Sequence, residues 1–223
     1  MMPPKKQAGS HSRIWLWSIA LSVVIAVAGP AVTSAANDVA DRLAACQDEA
    51  AKATRRLEDC SRVIDDTSVD SEIRVEAMLV RGTVLESLGE SQAAVAQYTA
   101  AIALDGSNAI AYFNRANVLD QIGQTERALV DYDKAIALDP HDPDFYANRG
   151  QVLLETEQVE RAIEDFSRAL SIGPNELAVL LARAAALEKL ARKDGAIADY
   201  RKVLSLEPGN SDAKDGLIRL GEK

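Results

Sequence analysis

Between Val75 and Asn210 the apolar residues fall three and four apart, break, resume, and return every 34 residues. Spacing of three and four places side chains on one face of a helix. In "SLGE" (Ser87 to Glu90) and "QIGQ" (Gln121 to Gln124) a glycine follows one apolar run and precedes the next. That predicts a helix stop and a short turn. Pro140, Pro174 and Pro208 each close a second run. The pattern therefore predicts four helix-turn-helix copies, at Val75–Asn108, Ala109–Asp142, Pro143–Glu176 and Leu177–Asn210. Within them the columns agree. Position 4 is Met78, Tyr112, Tyr146, Leu180, and position 11 is always leucine (Leu85, Leu119, Leu153, Leu187). Position 8 is small (Gly82, Ala116, Gly150, Ala184), as are position 20 (Ala94, Ala128, Ala162, Ala196) and most of position 27 (Ala101, Ala135, Ala169, Val203). Position 24 is aromatic: Tyr98, Tyr132, Phe166, Tyr200. Small residues let two helices approach while the ring fills the space beside them. One copy cannot bury its apolar face alone, so the copies are expected to stack and share a continuous core with a concave inner surface.

Composition agrees with an all-α fold. The 223 residues are 48% hydrophobic but only 4% aromatic, with 12 glycines, so the core is built of Ala, Leu, Val and Ile. At the C-terminus, residues 211–223 are expected to form a capping helix that turns Leu217, Ile218 and Leu220 to the last copy. Residues 37–74 read as a less regular helical segment, in which "LEDCSRVI" (Leu57 to Ile64) matches a second helix with Cys60 in the aromatic column.

Residues 1–36 stand apart. Lys5, Lys6 and Arg13 precede the uncharged run Ile14 to Ala28; Gly29-Pro30 breaks it, and Thr33 to Ala36 are small. This is the pattern of a signal peptide cleaved near Ala35 or Ala36. The alternative is a retained N-terminal membrane anchor, for which the apolar run falls short of the roughly 20 residues of a spanning helix. Cleavage would remove three basic residues and no acidic one, taking the net charge from −9 to −12. Such a surface repels phosphate, so neither nucleic acid nor an anionic membrane is an expected partner. The two cysteines, Cys46 and Cys60, lie in the exported part, where an even count reads as a disulfide.

The columns quoted above resemble the tetratricopeptide repeat over residues 75–210, with Gly106 in place of the closing proline of the first copy and Val203 as a further departure. The resemblance implies an α-solenoid of four repeats, with a degenerate N-terminal helical pair and a C-terminal cap. The N-terminal segment resembles the cysteine-stapled start of secreted bacterial proteins of this kind. In the family, position 7 is usually a large apolar residue; here it is Arg81, Arg115, Arg149 and Arg183, while position 23 is Gln97, Asp131, Asp165 and Asp199. An arginine stem packs like an aliphatic chain while its guanidinium seeks a carboxylate. Structural ion pairs are expected for Arg115, Arg149 and Arg183 with Asp131, Asp165 and Asp199, either within one repeat or, as for Arg149 with Asp131, between repeats. Ligand binding is the alternative role.

The resemblance also places positions 2, 5, 6, 9, 12 and 13 on the inner face. That gives Phe113, Asn114 and Asn117 in the second copy and Asn148 and Gln151 in the third as partner-binding candidates. An amide both donates and accepts, and so can pair with a peptide main chain; a merely solvated amide is the other reading. The lysines and arginines of a carboxylate clamp are missing from positions 2 and 5. The fourth copy instead shows Leu181, Ala182 and Ala185. No catalytic motif, phosphate loop or metal-ligand spacing occurs, and beyond the N-terminal segment His141 is the only histidine. The expectation is a non-enzymatic, cofactor-free scaffold or adaptor, periplasmic or secreted, that binds a protein or peptide partner of the cell envelope. The alternative is a structural protein that self-associates through its fourth repeat.

Overall fold

The computed structural model describes residues 30–222, with side chains from Asn37 onward. The segment read as a signal peptide falls almost wholly outside the described residues, and Trp15 and Trp17 with it. The described residues form eleven α-helices and no strand. They divide into two compact units, at Asp105 and Gly106.

The first unit holds α1 (Pro30–Gln47), α2 (Ala53–Asp65), α3 (Ser71–Ser87) and α4 (Ser91–Leu104). The expected cleavage points Ala35 and Ala36 lie within α1. Helix α1 packs on α2 and α3, and α3 packs on α4. Cys46 and Cys60 are fully buried with Val63, Val69, Ala77 and Val80 around them. The aromatic column needs the small column opposite it. A Cβ on Gly82 would stand 2.4 Å from the Tyr98 ring, and one on Gly150, in the second unit, 2.9 Å from Phe166.

The second unit holds α5 (Ala109–Gln121), α6 (Thr125–Leu138), α7 (Pro143–Glu155), α8 (Val159–Ile172), α9 (Leu177–Lys189), α10 (Lys193–Leu206) and α11 (Ser211–Arg219). Each helix packs on the next, and α5, α7, α9 and α11 also touch in succession, which is how repeats stack. Three starts are capped by the residue that ends each 34-residue frame. Asn108 accepts from the Ala111 amide, Asp142 from that of Asp144 and Asn210 from that of Ala213. Helix α11 packs on the last repeat with Ala213 and Leu217 buried, and Leu220, just past its end, is partly buried beside them. Ile218 corrects the sequence expectation: it is 69% exposed, because one residue further along a helix turns the side chain about 100° away.

The turn inside each repeat closes with the same bond. Glu90, Gln124, Gln158 and Arg192 donate their amides to the carbonyls of Leu85, Leu119, Leu153 and Leu187, at 2.8 to 2.9 Å. This ending needs a left-handed residue just before the donor. Gly89 and Gly123 fill that place in the first two repeats, but in the last two it falls to Glu157 (φ 59°) and Ala191 (φ 54°). A side chain there costs on the order of 1–2 kcal/mol. Ala191→Gly is therefore expected to raise unfolding stability by about 1 kcal/mol in urea titration. A loss of stability would mean that the turn tolerates alanine without strain.

Candidate functional site

The arginine column lies between the two helices of each repeat. Arg115 grips Asp131 through Nε and Nη2 at 2.7 and 2.8 Å. Arg149 grips Asp165 in the same way at 2.8 and 2.7 Å, and Arg183 grips Asp199 at 2.8 and 2.7 Å. These forked pairs stay within one repeat; Asp131 belongs to Arg115 and not to Arg149. The remaining Nη1 reaches back to the preceding repeat, from Arg149 to Asp133 at 2.6 Å and from Arg183 to Ser167 at 3.0 Å. Sequence reasoning did not find these backward contacts, although Asp133 and Ser167 share position 25. The hydrogen bonds of Asp165 hold the Arg149 guanidinium above its ordinary pKa, and those of Asp131 do the same for Arg115. Arg115 and Arg149 are thus permanent charges fixed in place. Arg81 is the exception, since its one hydrogen bond among the described residues goes to the neutral Gln97.

The inward candidates divide into two kinds. Phe113 is half-buried in a ring cluster, 4.8 Å from the centroid of Phe145 and 6.0 Å from that of Tyr132. Asn117 accepts the Tyr132 hydroxyl at 2.6 Å. Both carry internal packing as well as whatever surface they present. Asn114 on α5 is half-buried and makes no hydrogen bond among the described residues. Asn148 on α7 is exposed; its Nδ2 donates to the Asp144 carbonyl at 2.8 Å, leaving its oxygen uncommitted. Gln151 is exposed and donates to Glu155, 3.0 Å away on its own helix. The face therefore offers two amides one repeat apart beside the edge of a ring cluster. Phe145, which anchors that cluster, stands in a column otherwise filled by Ala77, Ala111 and Val179, so the repeat pattern gave no sign of it.

Other polar groups are structural. Tyr98 donates to Glu86, and burial raises the pKa of both groups. Tyr200 donates to Glu188, which also takes Arg219 of the cap at 2.8 Å; burial pushes the Tyr200 hydroxyl up to about 12. Leu181 and Ala182 of the apolar fourth repeat are partly buried against neighbouring core clusters, which leaves Ala185 as the exposed member. The Cys46 and Cys60 sulfurs lie 2.08 Å apart, at disulfide distance. Among the described residues there is no cluster able to hold a metal ion, and no helix long and apolar enough to cross a membrane.

Comparison with known proteins places this arrangement. A comparison with curated protein sequences gives no match. Among solved structures, the chain is similar to MamA at 19% identity and a TM-score of 0.65, over 82% of this chain and 96% of that one. It is similar to YrrB, a TPR protein with an unusual peptide-binding site, at 24% identity and a TM-score of 0.64, over 72% and 81%. It is also similar to a tetratricopeptide repeat protein from Parabacteroides merdae, at 19% identity and a TM-score of 0.69, over 84% and 72%. At these identities the likeness concerns the fold. Family models add the repeats themselves: tetratricopeptide repeat models match residues 75–108, 97–130 and 147–213, and a TPR repeat model matches 121–157. The matched segments overlap end to end from residue 75 to residue 213, and the chain is a tetratricopeptide repeat protein.

Proposed function

We propose that the chain is an exported, non-catalytic binding module that holds an extended peptide segment against α5 and α7. The observation that carries this reading is the pair Asn114 and Asn148. They occupy equivalent positions one repeat apart; among the described residues the first makes no hydrogen bond and the second leaves its carbonyl oxygen uncommitted. Main-chain amides and carbonyls of a strand-like segment match this pair, and the exposed edge of Phe113 supplies apolar contact beside it. YrrB supports the reading by analogy of fold alone. Export is supported by the basic, apolar and small succession of residues 1–36 and by the paired cysteines. An acidic envelope protein of this kind serves as an adaptor or assembly factor.

The test begins with a photoreactive residue at Asn148 in intact cells. The captured partner is identified, and the mass of the captured chain shows whether it begins near Asn37. Asn114→Ala with Asn148→Ala is then expected to weaken that partner by about five- to hundredfold, the effect of two modest hydrogen bonds. Melting should hardly change, because neither amide contributes to the core. Undiminished affinity in the double variant would put the binding surface elsewhere.

A further inference from the structure

The arginine column breaks in the first unit, where Arg81 forms no ion pair among the described residues. Helices α2 and α4 start 38 residues apart, and on that offset Ser61 of α2 stands where Asp133 and Ser167 stand in later repeats. Arg149 therefore meets two carboxylates, Asp165 and Asp133, while Arg81 bonds to the neutral Gln97 and the residue at the Asp133 place is the neutral Ser61. Ser61 is itself committed to the Leu57 carbonyl at 2.8 Å. The Nε–Nη2 edge that grips aspartate in three repeats holds no acceptor at Arg81 among the described residues. Its Nε is shielded from solvent and has no partner, and its only hydrogen bond among the described residues leaves from Nη1. An unpaired buried donor on a charged group is costly, so the edge is primed for an acceptor.

Arg81 also lines an open depression of about 470 Å³, with Leu57, Glu58, Ser61 and Arg62. The charges around it do not cancel. Arg55 and Arg62 share the single buried Asp59, at 2.8 and 2.9 Å, and Glu58 at the rim makes no ion pair with Arg81. With Arg81 these five groups sum to one positive charge, on a chain whose net charge is −9.

We propose that this depression between α2 and α3 is a second docking site, and that it takes the side-chain carboxylate of a glutamate or aspartate from a partner protein. The carboxylate fills the place that aspartate holds in the other repeats, accepting from the Nε–Nη2 edge after a turn of the guanidinium. A neutral glutamine holds that guanidinium less firmly than a carboxylate would. The apolar stem of the incoming side chain lies on Leu57, which favours a side chain over a free anion. The site lies on the first unit, and its existence does not depend on the face of α5 and α7 proposed above.

The test follows the Arg81 Nε–Hε resonance in nitrogen-15-labelled protein, assigned by its loss in Arg81→Lys. Acetyl-Ala-Glu-Ala-amide is expected to shift it to saturation. Acetyl-Ala-Gln-Ala-amide and acetate should each bind at least tenfold more weakly. Gln97→Asp supplies the internal carboxylate found in three sister repeats, so it should fold as the parent does and weaken the glutamate peptide at least tenfold. A resonance that the glutamate peptide leaves unmoved overturns the proposal, as does an equal response in folded Gln97→Asp. Acetate binding as tightly as the glutamate peptide overturns it too, because the site would then hold free anions.

Discussion

Phe145→Ala is expected to lower the stability of the second unit by about 3–5 kcal/mol, the usual cost of emptying a buried phenylalanine site. Phe145 is 1% exposed, and its ring lies 4.8 Å from that of Phe113, which in turn meets Tyr132 edge-on. The lost term has two parts, the cavity and an aromatic contact worth about 0.5–1.5 kcal/mol beyond area. Phe113 belongs to the second repeat and Phe145 to the third, so the substitution weakens the interface between repeats more than either repeat alone. Stacked repeats stand or fall by such nearest-neighbour terms. The urea transition should therefore broaden as well as shift, because the repeats on either side of the gap lose coupling. Phe113→Ala should cost less, since that ring is half-buried. In the double variant the two losses should fall short of additive by about the aromatic contact. A loss below about 1 kcal/mol from Phe145→Ala would show that the pocket closes over the gap or that the two rings do not pack. The same measurement bears on function, because a Phe113 ring released from Phe145 no longer presents a fixed edge beside Asn114.

What was legible in the sequence is what repeats. A 34-residue period exposes every column that four copies share, so the helix pairs and the small-against-aromatic packing could be read directly. Single-copy features stayed hidden for the same reason. Phe145 breaks its column, and nothing in the pattern says whether an extra ring points in or out. Glu157 and Ala191 carry the left-handed turn without the glycine that announces it in the first two repeats, because the bond closing the turn holds the backbone there whatever the side chain. Ile218 shows the limit of reading a short apolar run: three apolar residues within four positions cannot all face one way on a helix. The arginine partners were legible in type but not in pairing. Asp131 and Asp165 are chemically identical candidates for Arg149, and only the placement of α6 and α8 against α7 decides between them. Of the inward residues, Asn114 and Asn148 could be placed by register. That Asn117 is held by Tyr132 depends on a ring from the following helix, which register does not supply.

Arg149→Met is expected to cost about 3 kcal/mol, at the lower edge of the range for breaking a buried pair. Methionine keeps much of the apolar stem, so the loss reports on charge and hydrogen bonds more than on packing. The side chains of Arg149 and Asp165 are 18% and 8% exposed, which leaves Asp165 shielded from water once its cation has gone. Asp133, 58% exposed, loses its partner as well but recovers hydration, so it adds little. Replacing both partners, Arg149→Met with Asp165→Leu, removes the orphaned charge and should recover much of the loss, since well-packed apolar residues often match a buried ion pair in stability. The single-variant loss should therefore exceed the double-variant loss in chemical denaturation. Arg81→Met provides the internal comparison. Its partner is the neutral Gln97, so no charge is stranded and the cost should stay nearer the 0.5–1.5 kcal/mol of an ordinary hydrogen bond. If Arg149→Met and Arg81→Met cost the same, the carboxylates contribute nothing beyond a neutral acceptor, and the contrast between the first repeat and the others carries no electrostatic meaning. If Arg149→Met leaves the denaturation midpoint unchanged while abolishing peptide capture, the arginine column is a binding surface and the aspartates only orient it.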